Sequence, residues 1–240
     1  MSYERLEVEI SNVLRKYWTR RVYTDPQGQK RTAEPRVISL DIESAPLKDT
    51  DFLTNERILA IAIAKRVSGE FMSENGVEVK SWLLDEDSDK GEYKLLEDFS
   101  KGLKPEPLAV IGYGIRDYDL PLLSIKMKRY DPDIAIVRSR IPTVRKLWPI
   151  INMLERAVHL DLMTRLRFEL KVSGFDEILD YQKFSHLPLR RIKHAILPKG
   201  KSRGEHSCAI WREKPEEIKT LVEAHAHDIL LITEYEFFFK

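Results

Sequence analysis

Cysteine is almost missing from this chain: Cys208 is the only one among 240 residues. That excludes an internal disulfide and any zinc site built on thiolates. Asparagine and glutamine are scarce (Asn12, Asn55, Asn75 and Asn152; Gln27, Gln29 and Gln182), while Lys, Arg, Glu and Ile abound, a usage that resembles that of thermophile proteins. No apolar run approaches the length of a bilayer span, and the N-terminus has no signal-peptide core. A cytoplasmic protein with no membrane role is therefore expected. A dominant charge is lacking as well. Charged residues make up 33% of the chain but balance to +1, so affinity for a polyanion has to come from local patches. What is present is 42% hydrophobic residues, ample for one domain of generous size.

The chain is organised around Val37-Ile38-Ser39-Leu40-Asp41-Ile42-Glu43. As a β-strand, successive side chains point to opposite faces. Ile38, Leu40 and Ile42 then share one face, and Ser39, Asp41 and Glu43 the other. Two readings stand. The polar face is simply the outer face of a half-solvated sheet, or Asp41 and Glu43 are paired ligands of a hard divalent cation such as Mg²⁺ or Mn²⁺. A cation would remove the repulsion and desolvation cost of two adjacent buried acids.

Residues from Ser2 to about Tyr23 read as a helix ending in Arg15, Lys16, Arg20 and Arg21, before the turn-forming Asp25-Pro26-Gln27-Gly28. Residues 1–35 are thus set apart as a basic helical extension, either a solvated face or an arm for a phosphate backbone. Residues 36–240 form the main domain. Strands are expected at about Arg57–Val67 and Val77–Leu84, joined by short connections into an antiparallel meander. A helix through Tyr93, Leu95, Leu96 and Phe99 follows, then short strands at Leu108–Gly112 and Ala157–Leu162. Three strands followed by helix–strand–helix indicate an α/β fold with a mixed five-stranded sheet flanked by helices.

Gly112-Tyr113-Gly114 ends a strand, and a helix begins near Asp119 with Pro121 in its first turn. Asp119 is either the N-cap or a third carboxylate at the mouth of the sheet. Gly112 and Gly114 would let a substrate strand come close to the backbone. Asp131 to Glu155, with Arg138, Arg140, Arg145 and Lys146, reads as a hairpin or an irregular insertion. Between Ser185 and Arg203 lie Arg190, Arg191, Lys193, Lys199, Lys201 and Arg203 with no acid, the best candidate for phosphate contact. His206 and Cys208 read as an ordinary surface turn. In the last helix, Pro215 to Phe238, the residues Leu221, His225, Asp228, Ile232 and Tyr235 share one face. His225 fits a satisfied core histidine, whereas Asp228 needs a partner or a ligand.

With these motifs in place the chain resembles the DEDD superfamily of 3′–5′ exonucleases, and within it the proofreading domain of family B DNA polymerases. The likeness runs from Val37 to Tyr235 and keeps the family's motif order: Ser39-Leu40-Asp41-Ile42-Glu43, Gly112-Tyr113 through Tyr118-Asp119-Leu120-Pro121, His159-Leu160-Asp161-Leu162, and Glu216-Glu217 through His227-Asp228-Ile229. The resemblance implies an RNase H-like fold and a stand-alone exonuclease domain. It implies two divalent ions, Mg²⁺ or Mn²⁺, held by Asp41, Glu43, Asp119 and Asp228. The implied substrate is the 3′ end of single-stranded DNA, with RNA open, and the implied partners are replication or repair proteins. Gly114, Tyr118, Arg190, Arg191 and Lys193 are the expected substrate contacts. The chain departs from the pattern twice. Gly114 replaces an Asn, and the third motif lacks the Tyr or His that orients the attacking water. Ala224 and Glu223 stand there, with Ala224 expected to leave a gap. His225, three residues before Asp228, is the nearest substitute and is expected to face the same acids. The alternative function is a catalytically degenerate module that binds nucleic acid or serves replication and repair.

Overall fold

Local chemistry explains each turn and strand around the central one. In the computed structural model, which describes residues 3–46, 55–103, 107–130, 147–172, 174–196 and 203–239, helix α1 (Tyr3–Trp18) stops short of the expected Tyr23. Strand β1 (Arg21–Thr24), rich in β-branched and aromatic residues, pairs instead with β2 (Lys30–Ala33). The Asp25 carboxylate closes this hairpin by accepting the amides of Gln27 and Gln29 at 3.0 and 2.8 Å.

The sheet strands are β3 (Val37–Pro46), β4 (Glu56–Arg66), β5 (Val77–Leu83), β6 (Ala109–Gly112) and β7 (Val158–Asp161), in the order β5-β4-β3-β6-β7. β3 is antiparallel to β4 and parallel to β6, so the sheet is mixed, as expected, with β3 at its centre. The helices are α2 (Asp89–Gly102), α3 (Leu120–Tyr130), α4 (Trp148–Arg156), α5 (Leu162–Leu170), α6 (Phe175–Leu179), α7 (Arg203–Glu213) and α8 (Pro215–Phe238). Helix α7 replaces the surface turn expected around His206 and Cys208. Helix α4 occupies the end of the stretch read as a hairpin or insertion, while Arg138, Arg140, Arg145, Lys146, Lys199 and Lys201 lie outside the described residues.

Register decides which face carries the acids. Ser39, Asp41 and Glu43 pair with Ala64, Ala62 and Ala60, and Ala62 pairs in turn with Ser81. Alanines give this face little relief, so α8 lies close over it. The Ser39 hydroxyl donates to the Ala226 carbonyl at 2.5 Å, and the Ser81 hydroxyl to Glu223 at 2.5 Å. Larger residues occupy the opposite face: Leu40, Leu59, Ile61 and Ile63 are buried with Leu95, Leu96 and Phe99 of α2.

The far end of α8 is fixed by a buried ion pair. Glu234 and Arg66 are both fully buried, and the Arg66 guanidinium grips both carboxylate oxygens at 2.5 and 2.7 Å. The same carboxylate accepts the Trp18 indole N–H at 3.0 Å and the Met72 amide at 2.6 Å, which brings α1 onto the core. Removing one member strands the other charge in a dry site. Arg66→Met is expected to cost about 3–5 kcal/mol in denaturant unfolding, against well under 1 kcal/mol for the exposed Arg31→Met.

Candidate active site

Strand β3 sets two acids on the face beneath α8, and the third comes from the end of β6. After Gly112 the chain makes one π-helical turn, Ile115–Asp119, and runs directly into α3. Asp119 therefore has no N-cap role: Pro121 offers no amide, and among the described residues no amide of α3 donates to the Asp119 side chain. Gly114 starts the turn at φ +73, a left-handed conformation that favours glycine. At Gly112 a Cβ would stand 2.7 Å from the Ile115 side chain. Both glycines thus serve the turn itself. Asp161 of β7 holds the turn in place, accepting the amides of Gly114 at 2.9 Å and Arg116 at 3.2 Å while capping α5 through Met163 at 2.9 Å.

The three acids converge. Burial pushes the Asp119 carboxyl well above the usual carboxylate range, and the charges of Asp41 and Glu43 push it further. Asp119 is 5% exposed, and among the described residues none hydrogen-bonds to its carboxylate. Burial raises Asp41 too, although His225 opposes that shift. The Asp41 Oδ2 lies 3.4 Å from the His225 Nδ1, a charge contact without an aligned hydrogen bond.

Histidines, rather than the fourth acid, meet this cluster. His225 sits on the α8 face that covers Asp41, and its Nε2 bonds to the Ile192 carbonyl at 3.0 Å. His194, from the 185–196 segment, places Nε2 2.6 Å from Glu43 Oε1 and Nδ1 3.1 Å from an Asp176 oxygen. Burial alone would lower the His194 pKa, but the hydrogen bonds and charges of Asp176 and Glu43 outweigh it and push it up to about 9. His225 is likewise raised: burial lowers it, and Asp41 more than reverses that. Ser207 of α7 donates to the other Glu43 oxygen at 3.2 Å. Glu43, His194 and His225 each bring one donor atom within 4.8 Å of the others.

Asp228, expected as a fourth metal ligand, is engaged by backbone. Its oxygens accept the backbone amides of Arg190 and Arg191 at 2.8 and 2.9 Å, and His227 Nδ1 lies 2.8 Å from Oδ1. Two of the three described side chains of the expected basic phosphate track are engaged elsewhere. Arg191 donates to the carbonyls of Leu179 and Phe184, and Lys193 pairs with Asp180, so of the three only the Arg190 side chain is exposed with no bond among the described residues. Tyr118 is also occupied, its hydroxyl bonded to Glu56 and Ser44. Ala224 is fully buried, so it does not border an open gap.

His194, Asp176 and Ser207 were missed in the sequence. His194 lies in a basic stretch, and nothing in its spacing links it to β3. Ser207 hides in a segment without helical patterning. The one available signal was His194 itself, an imidazole directly after Lys193 in that cationic run.

In sequence the chain matches no family profile and no curated protein. In structure it is similar to the family B DNA polymerase from the hyperthermophilic archaeon Pyrobaculum calidifontis, at 16% identity and a TM-score of 0.50 over 86% of this chain. It covers 25% of that polymerase chain. The fold is RNase H-like. Fainter likenesses are to E. coli Exonuclease I in complex with a dT13 oligonucleotide (13% identity, TM-score 0.33, 77% of this chain and 42% of that one) and to the metal-free form of an E. coli ExoI–ssDNA complex (12%, 0.31, 77% and 41%).

The shifts carry a pH dependence with a definite sign. A raised His194 contributes stability in full below its ordinary 6.5, and that contribution is lost as pH rises through about 9. The raised carboxyls of Asp41 and Asp119 act in the same direction, because the folded state holds their protons more tightly. Metal-free protein is expected to lose thermal stability steadily between pH 6.5 and 9. His194→Gln is expected to flatten that slope, and Asp119→Asn, which removes a repelled buried charge, to raise the melting temperature above wild type at pH 8.

Proposed function

We propose that this chain is a metal-dependent 3′–5′ exonuclease acting on single-stranded DNA. The observation that supports it is that the half-buried Asp41 and the buried Glu43, on one face of β3, lie near enough to the buried Asp119 to repel its charge, and that Asp119 has no hydrogen-bond partner among the described residues. A binding module gains nothing from mutually repelling buried carboxylates. A hard divalent cation fits this donor set. Mg²⁺ or Mn²⁺ would be held by Asp41, Glu43 and Asp119, and when bound it supplies Lewis-acid stabilisation of phosphoryl charge and an activated water.

The chain's own residues then have distinct tasks. His225, anchored through Nε2 to the Ile192 carbonyl, presents Nδ1 beside Asp41, where it can orient the attacking water or take its proton. The turn at Gly114–Asp119 fixes the position of Asp119. Arg190 offers an exposed cation for a phosphate of the strand. Two ions, as the resemblance implies, would draw on Asp228 as well, which requires the 190–191 amides to release it.

A second reading is an accessory module with the same fold and no chemistry, joined to replication or repair proteins. It is favoured by one observation: His194 already sits on Glu43 and neutralises it.

The decisive experiment uses 5′- and 3′-labelled single strands with Mn²⁺, Mg²⁺ or EDTA. The exonuclease reading expects 5′-labelled strands to shorten progressively with either metal and to stay intact in EDTA. Asp41→Ala should abolish this while leaving circular dichroism unchanged, and His225→Ala should slow it about 10²–10⁴-fold. Full activity in Asp41→Ala would sink the site assignment. No cleavage under any metal would favour the accessory module. Arg190→Ala is expected to weaken binding of single strands and to reduce the salt slope by about 0.7, one phosphate contact on a single strand.

A further inference from the structure

Two imidazoles in the site are held in the same way, and only one of them has a task in the exonuclease chemistry. Each is fixed through one ring nitrogen by an acceptor outside the acidic cluster. His194 Nδ1 lies 3.1 Å from Asp176, and His225 Nε2 lies 3.0 Å from the Ile192 carbonyl. The other nitrogen of each faces the cluster: His194 Nε2 is 2.6 Å from Glu43, and His225 Nδ1 is 3.4 Å from Asp41. A carboxylate or carbonyl behind one nitrogen turns the other inward, where an ion can take the place of its proton, the usual setting of a metal-ligating histidine.

The donor set is compact. One atom each from Glu43, His194 and His225 lies within 4.8 Å of the other two, and the Asp41 Oδ2 beside them has no hydrogen-bond partner. Asp119, 5% exposed and also without such a partner among the described residues, adds a further carboxyl to the same pocket. Imidazole nitrogens are poor ligands for Mg²⁺ and good ones for borderline transition ions. Two histidines with a carboxylate are a familiar set for such ions.

We propose that Glu43, His194 and His225 form a mixed nitrogen–oxygen site that takes a zinc-class divalent transition ion in preference to Mg²⁺. This deepens the exonuclease reading by naming the ion class of the site, and it rests on that reading only for the site's use; with the ion bound, His225 Nδ1 is its ligand and no longer takes the water's proton. Asp176 acts as a positioning residue, holding His194. The segment clamped by Asp228 is then the arm that delivers a ligand, which gives the two amide bonds at Arg190 and Arg191 a purpose.

The test is carried out on the full chain with metal alone. Zn²⁺ is titrated into protein containing excess Mg²⁺, while nitrogen–proton correlations of the histidine rings are followed. The chain has six histidines. The proposal expects the ring signals of His194 and His225 to shift at one equivalent, and those of His159, His186 and His206 to stay. Asp176→Asn, which keeps the shape of the side chain, should weaken Zn²⁺ binding about 10–100-fold in calorimetry. Asp119→Asn should retain the histidine shifts. Unshifted His194 and His225 rings would overturn the proposal, even if Mg²⁺-dependent cleavage persists and the exonuclease reading stands. Shifted rings in a protein that cleaves nothing would uphold the metal site and defeat the exonuclease reading instead.

Discussion

Two buried carboxylates and a half-buried one face each other over the central strand, and much of the surrounding structure answers that charge. Asp41 and Glu43 are brought together by the two-residue repeat of β3, and Asp119 joins them from the turn after β6. Left alone, such a cluster would hold protons or open to water. Here two imidazoles, His225 from α8 and His194 from the connecting segment, supply compensating charge. Small side chains make the arrangement possible. The alanines of β4 let α8 approach closely enough for its histidine to reach Asp41.

Asp228 shows how a buried acid on α8 can be satisfied by backbone. Its oxygens accept the amides of the 190–191 segment. That segment carries His194, so Asp228 serves the site indirectly by holding the arm that reaches Glu43. In the cationic run, Arg191 binds the Phe184 carbonyl and Lys193 pairs with Asp180. Arg190 is exposed, with no side-chain bond among the described residues.

The fold was well marked in the sequence because its strongest signals are local. Alternation in β3, the Ile and Ala run of β4 and the long period of α8 each reflect burial on one face, and the short links forced antiparallel pairing of β3, β4 and β5. Asp41, Glu43 and Asp119 were legible for the same reason: acids at strand ends break a hydrophobic pattern. The placement of His225 near Asp41 followed from helical spacing. His194, Asp176 and Ser207 were not legible, because they come from separate segments that meet only through long-range packing. The helix end at Trp18 and the fate of Asp228 were misjudged where a hairpin turn and a loop backbone outbid the local pattern.

The central claim is that the Asp41–Glu43–Asp119 pocket receives a divalent cation. Anomalous diffraction from crystals soaked in Mn²⁺ tests it most directly. The account predicts a manganese peak in contact with the carboxylates of Asp41 and Glu43, with His194 moved off Glu43 or bound to the ion. Peaks confined to surface acids, with the His194–Glu43 bond intact, would contradict it.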